Sequence, residues 1–469
     1  MAGFENNKRV RSERIHFIGV GGIGMSAIAR VLRARGESVS GSDTSASALL
    51  DRLREEGVAV SIGHAAEHVA GASVVVVSSA IDRANPEFAA ARRAGIPVLH
   101  RGEMLARLME NRRGIAICGT HGKTTTTAMT HGVLRSGGVD AGLVLGGIDG
   151  TLQTNAHDGT SPWFVTEADE SDGSFALLEP AIAVVTNVEN DHLNSDDELP
   201  ALVRAFAEFL GKLPDDGAAI VGTDNAHSAS LASHDLSVPV TRFGFAPEAN
   251  VRASNVRFDR LGSHFDVIAG GVCLGAAELR VPGAMNVENA LAAIAVGRLL
   301  EIPFVSIVEA LRAFKGVRRR FDMLANSERL IVIDDYAHHP TAVAATIAAA
   351  RAFHRGPLFV AFQPHRYSRT AFLAAQFAQA LAGADRVYLT PIYGASEPAI
   401  PGVSERSIGK PLAASGTSVR YAPRVDALED LLLDEAPAGT MVLMLGAGTI
   451  TVVAHRLAER VSPASAVAT

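Results

Sequence analysis

Residues 114–125 read GIAICGTHGKTT, an apolar run that breaks into glycine and then into lysine and threonine. No other stretch limits the possible folds as sharply. The apolar run reads as a buried strand, the glycines as a tight turn, and Lys123-Thr124-Thr125 as the first turn of a helix. In that arrangement backbone N–H groups of the loop Gly119-Thr120-His121-Gly122 cradle phosphate oxygens. Lys123 places a point charge at the β- and γ-phosphates of a nucleotide such as ATP, and the Thr124 hydroxyl reaches Mg²⁺. The loop departs from the usual spacing, because Ile117 stands where the first glycine is expected. A strand feeding such a loop belongs in an α/β protein with a parallel sheet.

A second glycine motif, Gly19-Val20-Gly21-Gly22-Ile23-Gly24, follows the strand-like run from Ile15 to Val20. Glycine there allows a tight turn and lets a pyrophosphate approach N–H groups at a helix N-terminus. Asp43 follows a second strand, where a ribose-binding carboxylate would stand. The ligand read from this motif is a dinucleotide or another pyrophosphate carrier such as a UDP-sugar. One chain with both motifs has a site for ATP and another for a phosphorylated carrier.

Short β-branched runs alternate with Ala/Leu-rich helical patterns along almost the whole chain, which signals βαβ units. At roughly 100–200 residues per domain, 469 residues suggest three domains. The first block holds strand-like runs at 15–20, 37–41, 58–62 and 73–78, with a helix between Met25 and Arg35. The second holds runs at 142–146, 163–167, 182–187 and 218–222. An irregular stretch, 239–282, reads as added antiparallel strands, and a helix follows from Val287 to Leu300. KGVRRRF, 315–321, reads as a hinge. The third block holds runs at 330–335, 357–362, 386–390 and 441–445. The expected domains are 1–111, 112–322 and 323–469.

Acidic groups at strand ends complete a metal site on this reading. Glu167 ends WFVTE and opens Glu167-Ala168-Asp169-Glu170-Ser171-Asp172; His192 closes Asn187-Val188-Glu189-Asn190-Asp191-His192 after the next strand. Carboxylates at the C-terminal ends of parallel strands face the ligand crevice, and hard oxygen donors suit Mg²⁺. In the third block Arg366 and Arg369 are placed to clamp a small carboxylate. Arg318-Arg319-Arg320 at the hinge would bring positive charge to the γ-phosphate on closure.

Composition removes other classes. The net charge of −7 lacks the basic excess of a nucleic-acid binder. The two cysteines, Cys118 and Cys273, are far apart, which excludes a disulfide framework and fits a reducing compartment. The N-terminus lacks the apolar stretch of a signal peptide, and no run is long enough to span a membrane. A cytoplasmic protein, monomer or homodimer, is expected.

Taken together, HFIGVGGIGMS, GSD (41–43), GTHGKTTTT, EADESDGSF, TNVENDH, DDYAHHP, QPHRYSRT and GAGTI (446–450) resemble the Mur ligase family over residues 15 to about 460. DDYAHHP and QPHRYSRT look most like its members that add L-alanine to UDP-N-acetylmuramate in building peptidoglycan. The resemblance implies a Rossmann-like N-terminal domain for the UDP-sugar, a central P-loop domain with a parallel sheet for ATP, and a Rossmann-like C-terminal domain for the amino acid. It implies that Gly21, Gly22, Ile23, Gly24, Met25 and Ser26, with Ser42 and Asp43, bind the UDP group. Gly119 to Thr125 would hold the ATP phosphates, Thr124, Glu167 and His192 the Mg²⁺ ion. Asn289 and Asp335 would contact adenosine, with Arg320 near the phosphates. Tyr336, His338, Arg366 and Arg369 would form the L-alanine pocket, with His338 a candidate base.

The family's usual G-x-H-N is Gly283-Ala284-Met285-Asn286 here, and Leu193-Asn194-Ser195 replaces the more usual Met-Asp-aromatic after Asp191-His192. No lysine stands after His192 where some relatives carry a carbamylated one. The implied chemistry is transfer of the ATP γ-phosphoryl to a carboxylate, then attack on the acyl phosphate by the amine of L-alanine. Three other readings remain: a sister ligase adding a preformed tripeptide in wall recycling, an NAD-dependent oxidoreductase, and a non-catalytic nucleotide-regulated binding protein. The oxidoreductase would have no role for the P-loop and metal acids.

Overall fold

The computed structural model describes residues 13–170, 173–190, 198–259 and 262–462. His192 lies outside the described residues.

Three sheets form, each around a run of buried parallel strands. The first has five strands in the order Ala59–Ile62, Ser38–Asp43, Arg14–Ile18, Val74–Val77, Val98–His100, all parallel. The chain order reverses between Arg14–Ile18 and Val74–Val77, so the turn Gly19–Gly24 opens at a switch point, where α/β sheets bind ligands. Helix Ile23–Ala34 follows the turn and buries Met25, Ser26, Ile28, Val31 and Leu32 against the sheet.

The second sheet has ten strands. Its parallel centre runs Val240–Gly244, Ala218–Gly222, Ile182–Val185, Arg113–Cys118, Trp163–Glu167, Gly142–Asp149. In the stretch 239–282, expected to hold antiparallel strands, Val240–Gly244 and Val251–Asp259 continue the parallel run, and only Gly262–Ala269 and Val272–Leu279 add antiparallel pairings at that edge. Thr154–His157 pairs antiparallel at the other edge. Helix Ala284–Leu299 is apolar nearly all round and packs against helix Lys123–Ser136, so it is enclosed rather than amphipathic.

The third sheet runs Asp322–Asn326, Leu330–Asp335, Thr440–Leu445, Leu358–Phe362, Arg386–Leu389, Ser418–Tyr421, with only the first strand antiparallel. KGVRRRF connects the second sheet to the third: Val317 bridges to Asp149 of the second sheet and to Arg320 within the segment, and the Tyr336 N–H donates to the Arg319 carbonyl at 2.8 Å. Arg319 and Phe321 take φ of 62° and 50° there, a conformation that costs non-glycine residues energy and marks a constrained connection.

Polar contacts join the first two sheets. Arg30 donates to Thr154 and Asn155 at 2.7 and 2.6 Å, Arg35 meets Asp158 at 2.8 Å, and Arg101 meets Asp169 at 2.7 Å. No helix among the described residues is long and apolar enough to cross a membrane.

Candidate functional site

The three sheets face one cleft of about 900 Å³. Its wall takes Ile23, Gly24 and Arg101 from the first unit, the loop from Thr120 to Thr125 with Glu167, Asp169 and Glu189 from the second, Arg318 to Phe321 from the connecting segment, and Tyr336, His338 and His339 from the third.

Strand Arg113–Cys118 is buried and ends directly in the phosphate loop. Gly119 and Gly122 have φ of 116° and 84°, and a methyl group on either would collide with neighbours, Thr186 in one case and Asn289 in the other. Only glycine meets both demands. The residues after strand Ile182–Val185 brace the loop: Thr120 N–H donates to the Asn187 carbonyl at 2.9 Å, His121 N–H to Asn187 Oδ1 at 2.8 Å, and Thr186 Oγ1 to the His121 carbonyl at 2.6 Å.

At the start of the helix, Thr124 Oγ1 donates to Glu167 Oε2 at 2.8 Å, and the Gly146 N–H donates to Glu167 Oε1. Burial pushes the Glu167 carboxyl above its ordinary range, against the pull of Gly146, Thr124, Arg320 and Lys123. Lys123 Nζ donates to the Gly119 carbonyl at 2.6 Å and to both oxygens of Glu170 at 2.8 and 3.0 Å. Glu170 stood in the acidic run by sequence, but its pairing with Lys123 was not anticipated. The Lys-Thr-Glu167 arrangement presents one cation and two hard oxygen donors together at the loop.

Asn289 has a different setting from a nucleoside-facing one alone. Its Oδ1 accepts from Thr126 Oγ1 at 3.0 Å and lies against Gly122, so it supports the loop from behind while still lining the cleft. Met285, in the place of the family histidine, also lines it, as does Glu288, whose carboxyl is lifted to about 7 by burial first and then by Asp224 and Glu189.

From the third unit, Asp335 is buried at the cleft wall, where Phe321 N–H and Ala337 N–H each donate to it at 2.7 Å. Burial, opposed by Arg320 and those two bonds, lifts its carboxyl to about 6. Asp335 therefore fastens the end of the connecting segment to the third sheet. Arg319 and Arg320 both lie over the Tyr336 ring at 4.9 Å. His338 Nδ1 pairs with the Tyr336 carbonyl at 2.8 Å, its ring stands 5.5 Å from that of His365, and Arg369 meets His365 at 3.2 Å. Tyr336, His338, His365 and Arg369 thus form one continuous path. The side chain of Arg366, 45% exposed, is 3.9 Å from Glu397, and its backbone has φ of 69°.

The first glycine turn is only partly turned to the cleft. Ile23 and Gly24 line it, whereas Met25, Ser26 and Ser42 are buried behind. Asp43 Oδ2 accepts from the Gly21 N–H at 2.9 Å, which shapes the turn beside Gly22. Ser42 donates to the buried Glu87 at 2.6 Å, and Glu87 also meets His16, His64 and His68. That histidine–glutamate network was not visible in the sequence, because Glu87 comes from a helix far along the chain.

Family models match in succession along the chain: the Mur ligase family catalytic domain over residues 14–113, the Mur ligase middle domain over 117–297, and the Mur ligase glutamate ligase domain over 319–448. The chain belongs to the Mur ligase family. A UDP-N-acetylmuramate–L-alanine ligase of Acidithiobacillus ferrooxidans is 47% identical over 443 residues, covering 93% of this chain and 95% of the relative. One of Geobacter is 44% identical, covering 96% and 98%. The crystal structure of the Thermotoga maritima UDP-N-acetylmuramate–alanine ligase superposes with a TM-score of 0.81 at 30% identity, over 95% of this chain and 98% of that one. A murein peptide ligase of Psychrobacter arcticus shares the fold with a TM-score of 0.73 at 24% identity.

Proposed function

We propose that this protein joins L-alanine to UDP-N-acetylmuramate at the expense of ATP, forming ADP and phosphate, in building peptidoglycan precursors. The observation that carries the reading is the phosphate loop with Lys123, Thr124 and Glu167 in contact, in a cleft that all three units share. The similarity to L-alanine ligases across nearly the whole chain supports this substrate over a tripeptide or a nicotinamide cofactor. In this reading the units run 1–111, 112–322 and 323–469, and the protein works in the cytoplasm as a monomer or homodimer.

A carboxylate resists attack by an amine until one oxygen becomes a good leaving group. ATP supplies that by phosphorylating the muramoyl carboxylate, and the amine of L-alanine then displaces phosphate from the acyl phosphate. Such transfer is largely positioning and charge neutralisation. Lys123 and the loop N–H groups hold the phosphates, and Arg320, over Tyr336, faces them from the connecting segment. Oxygen donors suit Mg²⁺, and Thr124 Oγ1 with Glu167, already 2.8 Å apart, would hold it, with His192 as a further ligand. Bound there, the ion would neutralise charge on the β- and γ-phosphates.

Asn289 supports the loop beneath the nucleotide, and Asp335 positions Arg320 and Tyr336 through the connecting segment. The UDP group lies along Gly21–Ser26, with Ser42 and Asp43 shaping its turn. The L-alanine carboxylate is held by Arg366 and Arg369, and His338 takes the proton from its ammonium so that a neutral amine attacks. Closure of the third unit excludes water from the acyl phosphate. ATP-dependent coupling of ¹⁴C-labelled L-alanine to the sugar nucleotide tests the reading; incorporation of tripeptide alone would replace it with the recycling reaction.

A further inference from the structure

Three side chains from separate stretches meet where the third unit lies against the phosphate loop. His121 belongs to the loop itself. Glu189 comes from the segment after strand Ile182–Val185, and His339 is the N-cap of helix Pro340–Phe353. One ligand atom from each lies within 4.8 Å of the others. His121 Nε2 and Glu189 Oε2 are 3.3 Å apart. In a tetrahedral site with metal–ligand bonds of about 2.0–2.1 Å, neighbouring ligand atoms stand about 3.3–3.4 Å from each other. One edge of such a site therefore already has its length, and a small rotation of side chains closes the rest.

We propose that His121, Glu189 and His339 bind a transition-metal ion of the Zn²⁺ class that ties the third unit to the phosphate loop. Two imidazoles and one carboxylate are a donor set for zinc-like ions, whereas Mg²⁺ favours oxygen ligands and near-octahedral shells. The set shares no residue with Thr124 and Glu167. Outer bonds hold its members in place: Thr341 Oγ1 donates to Glu189 Oε2 at 2.7 Å, and His339 Nε2 pairs with the Asn190 carbonyl at 3.1 Å. Bonds of this kind orient metal ligands and raise affinity. All three side chains line the cleft, so a fourth coordination position opens toward it for water or a substrate oxygen. Because the ligands come from two units, a bound ion fixes those units together and slows any step that needs them to separate. Metal binding itself does not depend on which substrates the cleft accepts.

The test uses the full chain with Cys273→Ser, which removes the exposed thiol as a competing ligand. Co²⁺ absorption and equilibrium dialysis with Zn²⁺ are measured in excess Mg²⁺, alongside the melting temperature with and without Zn²⁺. One Mg²⁺-resistant ion per chain is expected. His339→Ala and Glu189→Gln should each weaken binding by about tenfold or more and abolish the rise in melting temperature. Should His339→Ala fail to fold, Glu189→Gln keeps the comparison. No bound ion, or binding unchanged in the variants that fold, overturns the proposal. Binding lost in His64→Ala but kept in Glu189→Gln overturns it too, by placing the metal in the Glu87 network of the first unit.

Discussion

Glu170 grips the Lys123 ammonium with both carboxylate oxygens, at 2.8 and 3.0 Å. Burial works against the lysine charge, but Glu170 and Asp169 outweigh it and hold the ammonium above its ordinary range. The loop lysine is thus kept charged and aimed by an acid that a triphosphate must share or displace. Replacing Lys123 alone strands a buried carboxylate, a change that costs about 3–5 kcal/mol. Lys123→Met should therefore lose both stability and ADP formation. Adding Glu170→Gln should recover most of the stability and none of the ADP formation, as read by urea denaturation and coupled ADP release. Recovery of turnover in the double variant would mean that Lys123 does not serve the phosphates.

Gly122 should tolerate no side chain. Gly122→Ala places a methyl group against Asn289 Oδ1 at a φ of 84°. Backbone strain alone costs about 1–2 kcal/mol, and displacement of Asn289 disturbs the loop further. We expect a lower denaturation midpoint and a raised KM for ATP. A variant with both values unchanged would show that the loop does not depend on this close approach.

Glu288 gives a pH dependence of stability. Its carboxyl is lifted from 4.5 to about 7, burial acting first and then Asp224 and Glu189. A raised carboxyl pKa favours the folded state while the group is protonated. That contribution is complete below about 4.5 and is lost as pH rises through about 7. Glu288→Gln stays neutral throughout. It should match the parent near pH 4.5 and exceed it by on the order of 1–3 kcal/mol at pH 8. Denaturation curves across that range decide the matter, and equal stability at pH 8 would contradict the burial of this charge.

Arg366 precedes helix Tyr367–Leu381, which carries Arg369, and in the proposed reading the two arginines hold the L-alanine carboxylate. Loss of a charged hydrogen bond to a carboxylate costs about 1.5–3 kcal/mol. Arg366→Ala should raise the KM for L-alanine about tenfold to a hundredfold while the KM for ATP stays within about twofold. Steady-state kinetics with each substrate varied in turn gives both values. An unchanged KM for L-alanine would put the amino-acid pocket elsewhere.

The three sheets were readable because buried parallel strands leave unbroken apolar runs, such as LIVI (330–333) and MVLML, between helical patterns. Val98–His100, Thr154–His157, Asp322–Asn326 and Ser418–Tyr421 were not anticipated; each is short and all four are edge strands, where burial imposes little pattern. Around the phosphate loop, Lys123, Thr124 and Glu167 could be placed from motif and strand ends alone. What escaped was the partner of each group. Asp43 closes on Gly21, Asn289 stands behind Gly122, and Asp335 takes the Phe321 and Ala337 N–H groups. The meeting of His121, Glu189 and His339 depends on how the third unit packs, which no local spacing encodes.

The most direct test of the account is phosphate release from ATP and Mg²⁺ by the purified protein, with the substrates added singly and together. The account predicts release only when UDP-N-acetylmuramate and L-alanine are both present, at one phosphate per L-alanine joined. Release with the sugar nucleotide and tripeptide but not with L-alanine, or none in any mixture, would contradict it.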